Sequence, residues 1–424
     1  MHRRQAVRIG IGMLAAASLT LTACGRDSGG TEDTAKEVKG GAAKGTLTVW
    51  AMGGEGENLP KLAADFEAAN PGVRIEVTAM PWPAAHDKLA GAIAAGTTPD
   101  ISLVGTSWMA EFAGTGALEP VPSLIDKEKF FPAAMEPVTV NGKAYGVPWY
   151  VDTRSLFYRS DLLKRAGISK APETWDELKA AAKAYRDKAG TKHGIFLPPG
   201  KQGSSQVLLP LVWQQGGEVI SADGKSFTLD TPEMAAALTY YKSFFDEGLA
   251  PKSFQQGDME RWFTKGEIGM VFTGSWMVGQ FGTIGGAGFD EKFAVAKVPG
   301  QTARTSFAGG ADLVVFKGSK NRDTAWKFID WLTEPGVQTK WYGIQKALPS
   351  VRAAWQDPAL KGDAKMSGFG DQLADAKAEP VVTTWEQVKQ MIEDEIEKIV
   401  IGGEKPEDAA RRMQQKADRI GTGG

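Results

Sequence analysis

The side chains of this chain best placed to do chemistry are carboxylates set beside glycines, together with flat aromatic rings. Glu55 stands in the turn Gly53-Gly54-Glu55-Gly56, where its carboxylate either meets a ligand's donors or remains a loop charge. Gly309 and Gly310 precede the apolar run Leu313-Val314-Val315-Phe316, and glycine there lets a ligand approach the backbone closely. Asp312 is either a contact or a group that orients that loop. Thirteen tryptophans add a further signal, because an excess of so large a side chain serves a heavy core or flat binding faces. Groups of these kinds hold a molecule by hydrogen bonds and stacking. The usual bond-breaking combinations are missing. No Gly-x-Ser-x-Gly elbow occurs, and His2, His86 and His193 are the only histidines. There is no GxxxxGKS or GxxxxGKT loop, so the chain lacks the P-loop signature for holding ATP itself. No cofactor is implied. With 51 acidic residues, a glycosidase-type pair of carboxylates stays open by count alone.

Alternating β-rich and helical patterns must position these groups. Residues 46–52 form a β-rich run and end in Gly53-Gly54. The segment 58–70 then places Leu59, Leu62, Ala63, Phe66 and Ala69 on one helical face, and Asn70-Pro71-Gly72 stops it. Residues 73–77 are a strand, which completes a β-α-β unit with a parallel sheet and a right-handed crossover. A helix over 86–95, a strand over 99–104 and a short helix over 108–114 follow. Ligands of open parallel sheets gather beyond the strand C-termini, here near residues 50–55 and 105–108. Farther on, Thr174 and Glu177 form a capping box at a helix start. Helices are expected at 205–215, 231–247, 259–265 and 323–332, and strands at 268–273, 294–298 and 313–316. The tail from 385 to 420 is mainly helical.

The N-terminus bears on the compartment. Arg3, Arg4 and Arg8 precede a short run of apolar and small residues, the layout of an export signal over 1–23. Arg3-Arg4 leaves both the Sec and the twin-arginine routes open. Leu21-Thr22-Ala23-Cys24-Gly25 then resembles the bacterial lipobox, in which the cysteine is acylated and becomes the first mature residue. Cys24 is the only cysteine, so it makes no disulfide within the chain and no cysteine metal site. Diacylation gives the two chains that stable anchoring needs. Residues 24–45 have the Gly, Ser, Lys, Glu and Asp composition of a flexible tether. The remaining ~380 residues suggest about two domains. The net charge of −2 and the absence of a basic tract beyond the signal argue against nucleic acid as a partner.

Four blocks, in order, resemble the extracellular solute-binding proteins of ABC importers, in the carbohydrate-binding branch of maltose/trehalose-type lipoproteins. The first is Tyr145-Gly146-Val147-Pro148-Trp149-Tyr150-Val151-Asp152 with Leu156-Phe157-Tyr158-Arg159-Ser160-Asp161 and Pro172-Glu173-Thr174-Trp175. The second is Phe263-Thr264-Lys265-Gly266-Glu267-Ile268-Gly269-Met270 running to Gly274-Ser275-Trp276. The third is Phe307-Ala308-Gly309-Gly310-Ala311-Asp312-Leu313 with Ala325-Trp326-Lys327-Phe328, and the fourth is Ala347-Leu348-Pro349-Ser350. The resemblance implies an α/β, two-lobed periplasmic-binding-protein-like fold with discontinuous lobes and an interlobe ligand cleft. It places the N-lobe at 46–151 and 301–350, and the C-lobe at 152–300 and in the helices of 351–424. Crossings are expected near 149–153, 299–305 and 349–355.

The resemblance also implies a binding protein and not an enzyme, a sugar ligand of di- or small oligosaccharide size, and an ABC importer permease as partner. It is expected as a monomer on the extracellular face of the membrane. A sugar presents hydroxyls at its rim and C–H bonds on its faces, so aromatic plates and convergent polar groups suit it. By family position Asp152 matches an acidic residue at the crossing, though a salt bridge with Arg154 or a helix cap would also explain it. Trp276 matches a sugar-stacking tryptophan and Trp385 an aromatic opening a late helix, with core packing as the alternative for both. Ser107 and Trp108 fall where the family has polar and aromatic contacts, and Gly310 and Asp312 complete the set. Trp50, Trp82, Tyr150 and Trp213 are secondary candidates, whereas Trp175, Trp326 and Trp331 sit at structural positions. The segment Gly200-Lys201-Gln202-Gly203-Ser204 departs from the maltose-binding pattern, which has an acid and an aromatic there, so the sugar is not named. Two other functions stand beside this one: a secreted glycosidase or lyase, and the same fold carrying a polyamine.

Overall fold

The structure, a computed structural model, describes residues 35–423 apart from Gln202. The export signal, Cys24 and the first part of the tether lie outside the described residues. The strands, in chain order, are β1 (Gly45–Met52), β2 (Val73–Met80), β3 (Ile101–Gly105), β4 (Thr139–Val140), β5 (Lys143–Ala144) and β6 (Val147–Thr153). They continue as β7 (Ser155–Tyr158), β8 (His193–Phe196), β9 (Ile268–Thr273), β10 (Ala294–Ala296), β11 (Ser306–Val315), β12 (Leu348–Pro349) and β13 (Ala376–Ala378).

Two main sheets result. The larger has the order β12-β6-β11-β3-β1-β2, with β13 paired to the start of β11. The smaller has the order β10-β7-β9-β8. In the larger sheet β1 pairs parallel with both β2 and β3, as the β-α-β pattern requires, whereas β11 runs antiparallel to β3 and β6. A mixed sheet of this kind brings segments far apart in sequence to one edge.

Local sequence explains the elements. In β1, Leu47, Val49 and Ala51 point into the core and alternate with more exposed neighbours. The first helix buries Leu59, Leu62, Ala63 and Phe66, the spacing of one helical face. It begins at Gly53, so the glycine turn assigned to residues 53–56 is in fact its first turn. The second helix likewise starts earlier than expected, at Trp82, with Pro83 in its first turn, where proline is well accommodated. Thr174 caps as anticipated: its hydroxyl accepts from Glu177 N–H at 3.2 Å, and Glu177 reaches back to Glu173 N–H at 2.7 Å. The helical tail is two helices, Trp385–Val400 and Pro406–Ile420, parted at Gly402-Gly403. The segment 313–316 is only the end of the ten-residue β11.

Each sheet has its own core. One apolar cluster runs from Ala43 to Trp149 and again from Ala311 to Val351, and a second runs from Leu156 to Met270 and again from Trp385 to Ala417. A third, aromatic-rich cluster joins Phe157, Phe263, Phe281, Phe293 and Phe369. The chain passes from the larger sheet to the smaller between β6 and β7 through one residue, Arg154.

The described part of the tether is fixed to the larger lobe. Arg322 donates to Lys36 O at 2.7 Å, Lys327 to Gly41 O at 2.8 Å, and the Thr324 hydroxyl to Lys44 O at 2.8 Å. Ala43 is buried. The expected flexibility therefore does not extend over residues 36–45. Composition could not show this, because the anchors are the segment's backbone carbonyls.

Trp149 on β6 is fully buried and stacks on Trp341 with ring centroids 4.6 Å apart. Its strand is held from outside by Gln338, which donates to Trp149 O at 2.7 Å, and by Ser350, which donates to Pro148 O at 2.6 Å. Trp149→Ala is expected to cost about 3–5 kcal/mol of stability. A urea titration checks this: an unchanged midpoint would remove Trp149 from the core that supports the crossing.

Candidate functional site

A cleft of about 1050 Å³ opens between the two sheets, lined from both sides. Its floor is the part of β11 that carries Gly309 and Gly310, opposite Asp152 and Val151 of β6. Gly310 has φ +147°, and a Cβ there would lie 2.2 Å from Tyr150 O. The pairing of β6 with β11 therefore requires glycine at this point, and the glycine leaves bare backbone facing the cleft.

Three tryptophans line the walls. Trp82 is half-buried and meets Trp108 edge-on at 5.6 Å; Trp108 in turn packs against His86 and Phe112. On the opposite wall Trp276 follows Gly274, whose Cβ would fall 1.9 Å from the indole ring. Only glycine lets this ring fold back over the strand end. The Arg154 guanidinium lies 4.8 Å from the Trp276 ring centroid and 5.2 Å from that of Phe307. A cation thus occupies part of the Trp276 surface, an attractive arrangement between guanidinium and ring quadrupole.

The charges are coupled. Arg154 pairs with Asp152 and donates to Gln206 Oε1 at 2.6 Å. This is the ion pair that the sequence left open for Asp152, and it does not exhaust the carboxylate: Oδ1 of Asp152 is buried without a partner. Burial pushes the Asp152 carboxyl above its ordinary range, and the Arg154 charge opposes the shift. Burial does the same to Glu55, opposed by its own backbone N–H and by the Tyr150 and Trp82 side chains. Asp312 is pushed up to about 8 by burial, with the Thr106 hydroxyl working against it. Along the lining, Glu55, Asp152, Glu260 and Glu379 are matched in formal charge by Arg154, Arg261, Lys346 and Lys389. A cleft of balanced charge suits a neutral ligand.

Of the residues singled out from sequence, Glu55, Ser107, Trp108, Asp152, Trp276, Gly310, Trp82 and Tyr150 all line this cleft. Four do not. Trp385 is fully buried in the core of the smaller lobe, where its ring lies 6.3 Å from that of Phe227. Trp213 packs in the same core with Lys377 above its ring. Trp50 lies on β1 with the Lys88 ammonium 4.9 Å from its ring. Asp312, only 2% exposed, pairs with Val104 and Pro148 inside the sheet and sits behind the lining. Sequence reasoning passed over Arg154 as a site group, along with Gln206, Gln345, Glu379 and Lys389. Arg154 carried a readable signal, a cation two residues from Asp152 at the crossing. The others come from distant segments and had none.

Comparison with known proteins agrees with this architecture. The family model described as "Bacterial extracellular solute-binding protein" matches residues 52–339. A binding protein of Brucella abortus is 30% identical over 96% of this chain and 97% of its own length. The diacetylchitobiose-binding protein DasA of Streptomyces coelicolor is 29% identical, with 98% of this chain and 97% of the relative covered. Among solved structures, the sugar-binding protein MalE of Xanthomonas citri superposes with a TM-score of 0.79 at 34% identity, covering 89% of this chain and 97% of that one.

The buried Asp312 has a consequence for stability. Its carboxyl titrates near 8 in the fold and near ~3.9 in an unfolded chain, so the fold favours the protonated form. The associated stability is fully present below about pH 4 and is lost as the pH rises toward 8. Wild type is therefore expected to lose stability relative to Asp312→Asn between pH 5 and pH 8. Urea midpoints of the two proteins at both values test this, and a difference that stays constant with pH would contradict it.

Proposed function

The chain belongs to the bacterial extracellular solute-binding proteins, and on that premise we propose that its cleft captures a neutral sugar of two or a few units and delivers it to an ABC importer permease. The observation that carries this reading is the lining itself. Tryptophans stand on both walls, a bare glycine floor lies between them, and four carboxylates are matched by four cations. Aromatic faces suit the C–H surfaces of a sugar ring, and free carboxylate oxygens suit its hydroxyls. A volume of about 1050 Å³ is at the upper end for small-ligand pockets, which favours an oligosaccharide over a single ring. The names of the relatives point the same way, since two of them are a diacetylchitobiose-binding and a sugar-binding protein.

The family consists of binding proteins and not enzymes, which retires the glycosidase or lyase reading. A polyamine is disfavoured by charge, because four cations line the cleft beside four acids. Proteins of two lobes close about a hinge on ligands that contact both, and closure follows from the better contacts of the closed form. Trp82 and Trp108 on one wall and Trp276 on the other would make that difference here.

We further propose that Cys24 is acylated and tethers a monomer at the extracellular face of the membrane. Among the described residues no helix is long and apolar enough to cross a membrane. An anchor at Cys24 would be joined to the larger lobe by the short stretch before Lys36, whose carbonyl Arg322 holds.

Two experiments test these readings. A thermal-shift screen of the full-length chain uses glucose, maltose, maltotriose, trehalose, N,N′-diacetylchitobiose, galactobiose and spermidine. A ligand present at 100 times its Kd adds about 2.7 kcal/mol to the folded state, and a sugar is expected to give such a shift. Trp82→Ala and Trp276→Ala should each weaken it at least tenfold, about 1.4 kcal/mol. A shift by spermidine alone would transfer the fold to another cargo. For the anchor, Cys24→Ala is expected to move the protein from the membrane fraction to the soluble fraction of its cells. Unchanged partition would refute acylation.

A further inference from the structure

Glu379 lines the cleft immediately after β13, yet it is only 8% exposed and its Oε1 is buried without a hydrogen-bond partner. A carboxylate oxygen left unpaired in such a position costs stability unless something else satisfies it. Inside the protein its charged neighbour is Lys389, whose ammonium stands 4.0 Å from Oε2. Lys389 is already engaged elsewhere, with Glu386 at 2.5 Å and with the Ser107 hydroxyl at 3.2 Å. The Trp385 indole also favours the charged form of Glu379, and Oε1 is closed off from the cleft, so the capacity Glu379 has to spare is at Oε2.

Strand register fixes where that capacity lies. On one side of β11, Gly309 faces Asp152 of β6. On the other side, Ala308 faces Ala378, the last residue of β13, so Glu379 follows at the level of Gly309. β3 takes up that side of β11 only from Ala311 onward, where it pairs with Gly105. Between the end of β13 and the end of β3, the edge of β11 is therefore unpaired at Gly309 and Gly310. The glycine floor is a trough flanked by Asp152 on one strand and Glu379 on the other. At about 4.8 Å per strand, the two flanking backbones are about 10 Å apart with β11 between them, a width that matches one sugar ring lying over its glycines. Each acid has a basic neighbour, Arg154 for Asp152 and Lys389 for Glu379.

We propose that Glu379 is a ligand-contacting, specificity-determining residue that accepts hydroxyls on the side of the trough opposite Asp152, with Lys389 as its positioning partner. The proposal rests on the sugar-binding reading and adds to it that one ring is held from both edges by carboxylates. Such charge-assisted hydrogen bonds are stronger than neutral ones, so the pair would select for hydroxyls on both edges of that ring.

Calorimetric titration of the full-length chain with each sugar of the panel above tests the proposal on wild type, Glu379→Gln and the double variant Glu379→Gln, Lys389→Met. Glu379→Gln is expected to weaken the sugar that wild type binds by tenfold or more, while its melting temperature without sugar is not lowered. The double variant should remain as weak as the single one. Wild-type affinity in Glu379→Gln would overturn the proposal. So would recovery of affinity in the double variant, which would make Glu379 only a counter-charge to Lys389. If Glu379→Gln melts lower in proportion to its lost affinity, its role is structural and the proposal also falls. Failure of wild type to bind any of the sugars would instead overturn the sugar-binding reading, and this inference with it.

Discussion

Arg154 is the one residue between the strand that ends the larger sheet's contribution to the crossing and the strand that begins the smaller sheet, and it carries a charge. That charge cannot sit in so enclosed a place without partners. Its guanidinium is met by the Asp152 carboxylate, by Gln206 Oε1, and by the rings of Trp276 and Phe307. Its carbonyl accepts from the Ser306 hydroxyl at 2.6 Å, which ties the outgoing crossing to the strand by which the chain returns. Asp152 and Ser306 belong to the larger sheet, Gln206 and Trp276 to helices of the smaller lobe. One fork of donors therefore sets the relative position of the groups that line the cleft. Lysine, a point charge with no planar fork, could not satisfy a carboxylate, an amide and two ring faces together.

The cleft also concentrates acceptors that the fold does not satisfy. Asp152 Oδ1, Asp312 Oδ2 and Glu379 Oε1 are all buried without partners, and burial raises the pKa of all three groups. The two kinds of case differ in consequence. Asp312 lies behind the lining within the sheet, where a proton is the simplest partner. Asp152 and Glu379 line the cleft, but their unpaired oxygens are themselves closed off from it, so a ligand's hydroxyl would reach those oxygens only if the side chains turned. Unpaired acceptors of this kind are costly to a fold, and here the two large apolar cores on either side offset that cost.

Much of this was legible in sequence because it depended on local patterns. The β-α-β periodicity at the start of the chain, the capping box at Thr174 and Glu177, and the glycines beside Trp276 and at 309–310 all work within a few residues. The family blocks located Asp152 and Trp276 on the cleft for the same reason. What sequence could not separate was a tryptophan on a helix that faces the cleft from one that faces the core. Trp385 opens an amphipathic helix, as a contact residue would, but its ring turns inward to Phe227. Trp82 also opens a helix, yet it lines the cleft, where its indole favours the charged form of Glu55. The difference lies in which sheet edge each helix crosses, a long-range property. Glu379 was invisible for the same reason: its place depends on three-residue β13 joining the start of β11.

The two walls of the cleft are already linked by the protein's own bonds. Lys389 of the smaller lobe donates to Ser107 of the larger, and the Ser275 hydroxyl donates to Lys346 O at 2.7 Å. Each such bond contributes about 1 kcal/mol net, so the two together favour closure only modestly. A ligand adds to closure only what it gains from both walls at once. Trp82, Trp108 and Glu55 stand on one side, Trp276 and Gln206 on the other, and the Arg154 fork lies at the crossing between them. A sugar that touched one wall alone would bind open and closed forms about equally and leave their ratio unchanged. On the proposed reading, ligand length and closure are linked by geometry: a ring over the glycine floor would supply hydrogen bonds, and flanking rings would have to reach the opposite tryptophans for closure to follow.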